Sequence, residues 1–154
     1  MVTVRAFDAD KGDAEAFRTL FRDCLAHYDC GPALPGVEGA ILEELTAPFG
    51  TFADIAWAGD RPLGFTCWMR VFPAGEGFAL YMKELYVARN ARGLGVGRAL
   101  MRRLAERGVD MGALTLRWES GEPGALAFYD KLGMTDDGKT HFTLPADQMP
   151  GFAQ

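Results

Sequence analysis

The residues with most to say about chemistry run from Leu85 to Leu100: Leu85-Tyr86-Val87-Ala88-Arg89-Asn90-Ala91-Arg92-Gly93-Leu94-Gly95-Val96-Gly97-Arg98-Ala99-Leu100. A β-rich stretch ends at Val87, a basic, glycine-dense turn follows, and an amphipathic helix begins near Gly95. A strand feeding a glycine loop and a helix N-terminus is an anion site. The first backbone N–H groups of the helix have no partner of their own, and the helix dipole favours negative charge there. Gly93, Gly95 and Gly97 carry no Cβ to keep a phosphate off the backbone, and Arg92 and Arg98 add charge of the right sign. The expected ligand is a phosphate or pyrophosphate. A nucleotide P-loop is excluded, because no Lys-Ser or Lys-Thr follows the glycines to reach magnesium. The dinucleotide fingerprint is excluded too: counted from Gly93 its sixth position is Arg98, and counted from Gly95 it is Leu100.

Arg92, Gly95 and Gly97 satisfy Arg/Gln-x-x-Gly-x-Gly/Ala. A second constellation, Ala125, Phe128, Tyr129, Lys131 and Gly133, follows downstream in the pattern N-x-x-A-x-x-F/L-Y-x-K-x-G-F. Together, in this order, the two resemble the acetyl-CoA motifs of the GNAT superfamily of N-acetyltransferases. The resemblance is specific over residues 78–134 and architectural before that. Tyr81 to Val87 and Trp118 are similar to the diamine acetyltransferase branch. There are departures: Arg89 stands for the usual loop proline, Glu122 for the Asn of the second motif, and Lys83 and Glu84 for the Glu and Asp of the diamine pattern.

The resemblance implies acetyl-CoA as cosubstrate, with Arg92, Gly93, Leu94, Gly95, Val96, Gly97 and Arg98 on the pyrophosphate. Leu85, Tyr86 and Val87 would align the pantetheine by strand-like backbone bonds, and Phe128 would lie beside the cofactor. It implies Tyr129 as the acid that protonates the leaving thiolate. It also implies a carboxylate at the end of the fourth strand as base, for which Glu84 is the candidate. In a regular strand Lys83 and Glu84 face opposite ways, so a β-bulge there would be needed to turn Glu84 toward the cleft. An oxyanion would take a backbone N–H near Leu85 or Val87. His27, Tyr28, Tyr81 and Trp118 are the candidate acceptor-binding residues. A base is needed because an alkyl amine of pKa ~10.4 is neutral in only about one molecule in 2,500 at pH 7.

The 154 residues and 49% hydrophobic content fit one domain, 1–154, with a real core. No apolar run is long enough to span a bilayer and no basic-plus-apolar leader opens the chain. A cytoplasmic protein with no membrane partner is expected. Cys24, Cys30 and Cys67 are odd in number and lack C-x-x-C spacing, and only His27 and His141 add imidazoles. Reduced thiols and no metal are therefore expected. A net charge of −5 disfavours nucleic acid and suits a small cationic amine. A homodimer is in keeping with the family. Arg102, Arg103 and Arg107 read as a solvated helix face.

The elements that must position these residues follow from periodicity. Strands are expected over 2–7, 52–58, 63–71, 78–87 and 114–118, with a last hairpin over 135–144. Helices are expected over 13–28, 37–45, 95–108 and 123–131, with Gly133 past the end of the last. The turn at 73–77 is a candidate lid. The fold class is α/β: a GNAT fold, with a central mixed, mostly antiparallel, twisted sheet of 6–7 strands flanked by four helices. The expected activity is direct transfer of an acetyl group to a primary amine of a small molecule in a ternary complex. The alternatives are a protein N-terminal or lysine acetyltransferase, and a non-catalytic CoA-binding domain of the same fold.

Overall fold

The computed structural model describes residues 1–72 and 77–153. The candidate lid, except for Gly77, lies outside the described residues. The chain forms two compact units, Met1–Glu119 and Ser120–Gln154.

The first unit is built on a five-stranded sheet in the order β1-β2-β3-β4-β5, with β1 Thr3–Ala6, β2 Thr51–Ala58, β3 Arg61–Val71, β4 Ala79–Val87 and β5 Thr115–Arg117. The first four strands pair antiparallel and β4 with β5 parallel. Its helices are α1 (Asp13–His27), α2 (Val37–Thr46) and α3 (Val96–Met111). Helix α1 puts Phe17, Leu20 and Cys24 into the core at helical spacing. Phe17 meets the Phe65 ring edge-on at 5.1 Å. Helix α3 buries Val96, Leu100, Met101 and Leu104.

Residues facing each other across antiparallel strands share a side of the sheet. One face, toward α1, therefore carries Ile55, Phe65 and Cys67. The other, toward α3, carries Asp54, Thr66 and Trp68. Gly64 allows β3 and β4 to close up where β4 ends, since a Cβ there would stand 2.4 Å from the Tyr86 carbonyl oxygen.

Three expectations need correction. The sheet has five strands among the described residues, not 6–7. The segment 135–144 forms no hairpin: the Asp136 and Asp137 carboxylates accept from the N–H groups of Gly138 and Lys139 at 2.7 and 3.3 Å. Such local side-chain bonds offer the backbone an alternative to a ladder. Phe142, 87% exposed, finds no apolar face to cover. Helix α3 runs past Gly108 to Met111 and is ended by Gly112 in the left-handed conformation (φ 71°), whose N–H bonds the Gly108 and Val109 carbonyls. An interior glycine costs a helix only about 1 kcal/mol, and Gly108 sits in the helix beside Leu80.

The second unit contains α4 (Pro123–Lys131) and the single-turn α5 (Met149–Phe152). The four expected helices are thus present, with one short addition. Glu122, the departure from the expected Asn, is the N-cap of α4. Its carboxylate accepts from the Gly124 and Ala125 N–H groups at 3.1 and 3.3 Å. Gly133 (φ 77°) follows the helix end.

Candidate active site

Strand β5 pairs with β4 only at Ala79, Leu80 and Tyr81. From Met82 to Val87, β4 runs on with β3 along one edge only among the described residues. The Ala88 N–H bonds the Leu63 carbonyl at 2.9 Å, and backbone groups alternate sides along an antiparallel strand. The N–H and C=O groups of Val87 and Leu85 therefore point to the open edge. These are the positions expected to hold a pantetheine arm or an oxyanion.

The strand leads through a 3-10 turn at Arg89–Ala91 into the exposed loop at 92–95. Gly93 (φ 78°) and Gly95 (φ 79°) are left-handed, and both have open space where a Cβ would sit. They are glycines for backbone conformation and for closeness to whatever approaches, not for fit against the protein. Gly95 is the N-cap of α3 and offers no side chain to the first N–H groups. Helices α1 and α2 also begin at left-handed glycines, but their first turns carry acids: Asp13 and Glu15, and Glu38. Asp13 is gripped by Arg5 and Glu38 by Arg22. The first turn of α3 holds no acid and includes Arg98, so its positive end is not offset from within. The Arg92 Nε donates to the Val87 carbonyl at 3.2 Å, tying the loop to the strand end. Val96 and Tyr86 are buried, at 1% and 4% exposure. Val96 therefore has its backbone, not its side chain, to offer a ligand, while Leu94 is exposed.

Glu84 is set by a bulge. Cys67 faces Glu84 and Trp68 faces Met82, so Lys83 has no opposite number. The extra residue reverses the alternation. Leu80 and Met82 lie on the α3 face, whereas Glu84 and Tyr86 lie on the α1 face. There Tyr86 meets Phe65 at 6.1 Å and His27, at the end of α1, also at 6.1 Å. His27 in turn lies 4.9 Å from the Tyr28 ring. The Lys83 side chain is exposed. Glu84 is half-buried, and among the described residues it makes no salt bridge or side-chain hydrogen bond. Burial pushes its carboxyl above the usual range, with Lys83 opposing. Tyr81, on the same face, donates its hydroxyl to Glu119 at 2.7 Å. Burial, then Glu119 and Glu84, push that phenol up to about 12.

In the first unit the structure thus gathers Glu84, Tyr86, His27, Tyr28 and Tyr81 on one sheet face, and Arg92 to Arg98 at the end of β4. Trp118 follows β5 and is half-buried. In the second unit Phe128 and Tyr129 are consecutive on α4, half-buried, with rings 5.1 Å apart. Among the described residues no group of three or more His, Cys, Asp or Glu could hold a metal, and no helix is long and apolar enough to cross a membrane.

Sequence reasoning missed the other face. Asp54 is fully buried and takes a two-pronged Arg107 contact at 2.7 and 2.5 Å and the Trp68 indole N–H at 2.9 Å. Arg103 stands 3.9 Å away. Arg107, over the Trp68 ring at 5.3 Å, is therefore a half-buried ion-pair partner and not part of a solvated face. Arg102 does pair at the surface, with Glu106. The available signal was a lone carboxylate inside the apolar strand 52–58, which needs a buried cation.

A model of the acetyltransferase (GNAT) family matches residues 14–134. A mycothiol acetyltransferase of Nocardioides sp. is 35% identical over 91% of this chain and 52% of its own length. A thialysine N-epsilon-acetyltransferase of Caenorhabditis elegans is 32% identical over 60% of this chain and 61% of its own. The chain thus spans about half the length of the curated relatives it matches. Among solved structures, an integron cassette protein from the mobile metagenome of V. cholerae superposes with TM-score 0.79 at 23% identity, over 99% of this chain and 98% of that one. An aminoglycoside acetyltransferase from an uncultured soil metagenomic sample, solved with sisomicin, gives TM-score 0.81 at 15% identity, over 94% and 95%. At these identities the likeness is one of fold. The strand that opens into an acid-free helix N-terminus and the family match over most of the sequence lead to one conclusion: this chain belongs to the GNAT acetyltransferase family.

Proposed function

We propose that the chain is a single acetyl-CoA-dependent N-acetyltransferase domain that acetylates the primary amine of a small molecule by direct transfer in a ternary complex. The observation that carries this reading is the continuity of the open β4 edge with the uncapped start of α3. An extended pantetheine arm matches the Leu85 and Val87 backbone, and its pyrophosphate then reaches the N–H groups of Val96 to Arg98. Arg92 and Arg98 complete that site.

The amine nitrogen attacks the thioester carbonyl carbon. Its proton passes to Glu84, directly or through one water, and a half-buried carboxylate with a raised pKa is a stronger base than an exposed one. The carbonyl oxygen becomes an oxyanion that an edge N–H of Leu85 or Val87 can stabilise. When the C–S bond breaks, the CoA thiolate takes the proton of Tyr129, our proposed acid. His27, Tyr28, Tyr81 and Trp118 are proposed to shape the acceptor site. The names of the relatives, mycothiol, thialysine and aminoglycoside acetyltransferases, support a small amine acceptor over a protein. We further propose that the protein is cytoplasmic and forms a homodimer; chromatography with light scattering tests the second point.

The test is CoA thiol release from acetyl-CoA against polyamines, aminoglycosides, amino acids and peptides with free N-termini or lysines. One small-amine class should dominate. Activity only with peptides would overturn the acceptor class, and acetyl-CoA binding without turnover on any acceptor would favour the non-catalytic alternative. Tyr129→Phe should lower kcat about 100-fold or more, the usual scale of a general acid. An unchanged kcat removes Tyr129 from the mechanism.

A further inference from the structure

The bulge that turns Glu84 to the α1 face also sets what lies against it. Cys67 is directly opposite on β3, 7% exposed, and Cys24 reaches the same region from α1, 3% exposed. Both thiols are free. The negative charge of Glu84 acts on both; Cys30 also acts on Cys24, and Cys24 and Asp54 also act on Cys67. Burial pushes Cys24 up to about 12 and Cys67 higher still, so both are neutral at any physiological pH. Among the described residues, the strand of Glu84 adds Lys83, pointing out at the bulge, and Tyr81, already donating to Glu119, and the end of α1 brings His27 and Tyr28 to the same face beside Tyr86. Asp23 and Arg92 act on Tyr86, two residues along.

A buried carboxylate is normally held by an arginine or by strong donors, as Asp54 is on the opposite face. On this face the residues opposite and above Glu84 are thiols, which are weak donors. We infer that Cys67 and Cys24 are positioning residues for Glu84. Their two uncharged side chains form an apolar floor that leaves the carboxylate unpaired and free to take the proton of the attacking amine. The inference rests on the proposed role of Glu84 as base, but its first test does not depend on turnover. A hydroxyl in place of the Cys67 thiol would donate a stronger hydrogen bond to the ionised carboxylate and favour that form. Valine would keep the floor apolar.

The experiment is a carboxyl-carbon NMR titration of the whole protein, with the Glu84 signal assigned by its loss in Glu84→Gln. In Cys67→Ser the Glu84 midpoint should fall by about one pH unit, tenfold in its ionisation constant. In Cys67→Val it should stay at or above the wild-type value. With the amine that the acceptor panel identifies, the acid limb of kcat/KM should move down in Cys67→Ser alone, with kcat about threefold lower. A Glu84 midpoint in folded Cys67→Ser equal to that of wild type overturns the inference whatever the activity. If Cys67→Ser does not fold, Cys24→Ser brings a hydroxyl from the helix side and carries the same expectation. A midpoint that moves while the activity profile does not would keep the floor and remove Glu84 as the base.

Discussion

The two faces of the central sheet each hold a carboxylate out of bulk water and treat it in opposite ways. Asp54, on the α3 face, is fully buried and partnered, with Arg107 on both oxygens and the Trp68 indole N–H on one of them. Glu84, on the α1 face, is half-buried with two neutral thiols nearby. The first arrangement holds helix to sheet and gives both carboxylate oxygens a hydrogen-bond donor. The second costs stability, because desolvation without a partner is uncompensated, and it leaves a carboxylate whose proton affinity has been raised. A satisfied buried acid marks architecture; an unsatisfied one marks a place to look for chemistry.

Exchanging the charges should separate the two roles. Glu84→Gln should lower turnover about 10²–10⁴-fold, the scale of a lost general base, without destabilising the fold. Burial raises the Glu84 carboxyl above its unfolded value, so the folded chain holds that proton to higher pH. The ionised side chain then costs stability above the folded value and costs nothing below the unfolded one. Thermal unfolding of Glu84→Gln should therefore match or exceed wild type at pH 8, and the two should converge below about pH 4. A clear loss of stability at pH 8 would mean that Glu84 has a partner after all.

Asp54→Ala should do the reverse. Removing one member of a buried pair leaves Arg107 charged and unpaired, at about 3–5 kcal/mol. Denaturant unfolding should show that loss, with KM for the amine little changed in whatever fraction stays folded. Replacing Asp54 and Arg107 together with leucines should recover much of it. A cost for Asp54→Ala below about 1 kcal/mol would show that the α3 face does not depend on this ion pair.

The sequence made one of these carboxylates visible and hid the other. Glu84 stood out because motifs on either side of it carry a family pattern. Its orientation was not legible, since a bulge at Lys83 is a property of how β3 and β4 register and leaves no mark in the order of residues. Asp54 is one polar residue inside the apolar stretch 52–58. Its partner lies 53 residues away on a helix face, and periodicity along either element alone cannot pair them. The helices and the first five strands were legible because each has a period and bounding glycines or prolines. The hairpin expected over 135–144 failed where Asp136 and Asp137 satisfy backbone groups locally, and Phe142 and Leu144, which alternate, both stay exposed. Glu122 read as a lost asparagine, but capping needs only an acceptor at that position, and a carboxylate supplies one.

The smallest effect concerns the helix starts, where conformation and function can be pulled apart. Gly36 and Gly95 begin α2 and α3 with nearly the same left-handed backbone, φ 87° and 79°, and both have open space where a Cβ would go. Alanine at either should cost the same strain, about 1–2 kcal/mol, visible as similar losses in unfolding free energy. Only one of the two helix ends is left without an acid in its first turn, and only that one follows the open strand edge. Gly95→Ala should therefore also raise KM for acetyl-CoA about tenfold, or ~1.4 kcal/mol, with KM for the amine unchanged, while Gly36→Ala leaves both constants alone. Isothermal titration with CoA gives the same comparison without turnover. If the two variants lose CoA affinity equally, the loss comes from general loosening, and the end of α3 is an ordinary helix start. If only Gly95→Ala loses it, the acid-free first turn is what separates a helix that begins from a helix that binds.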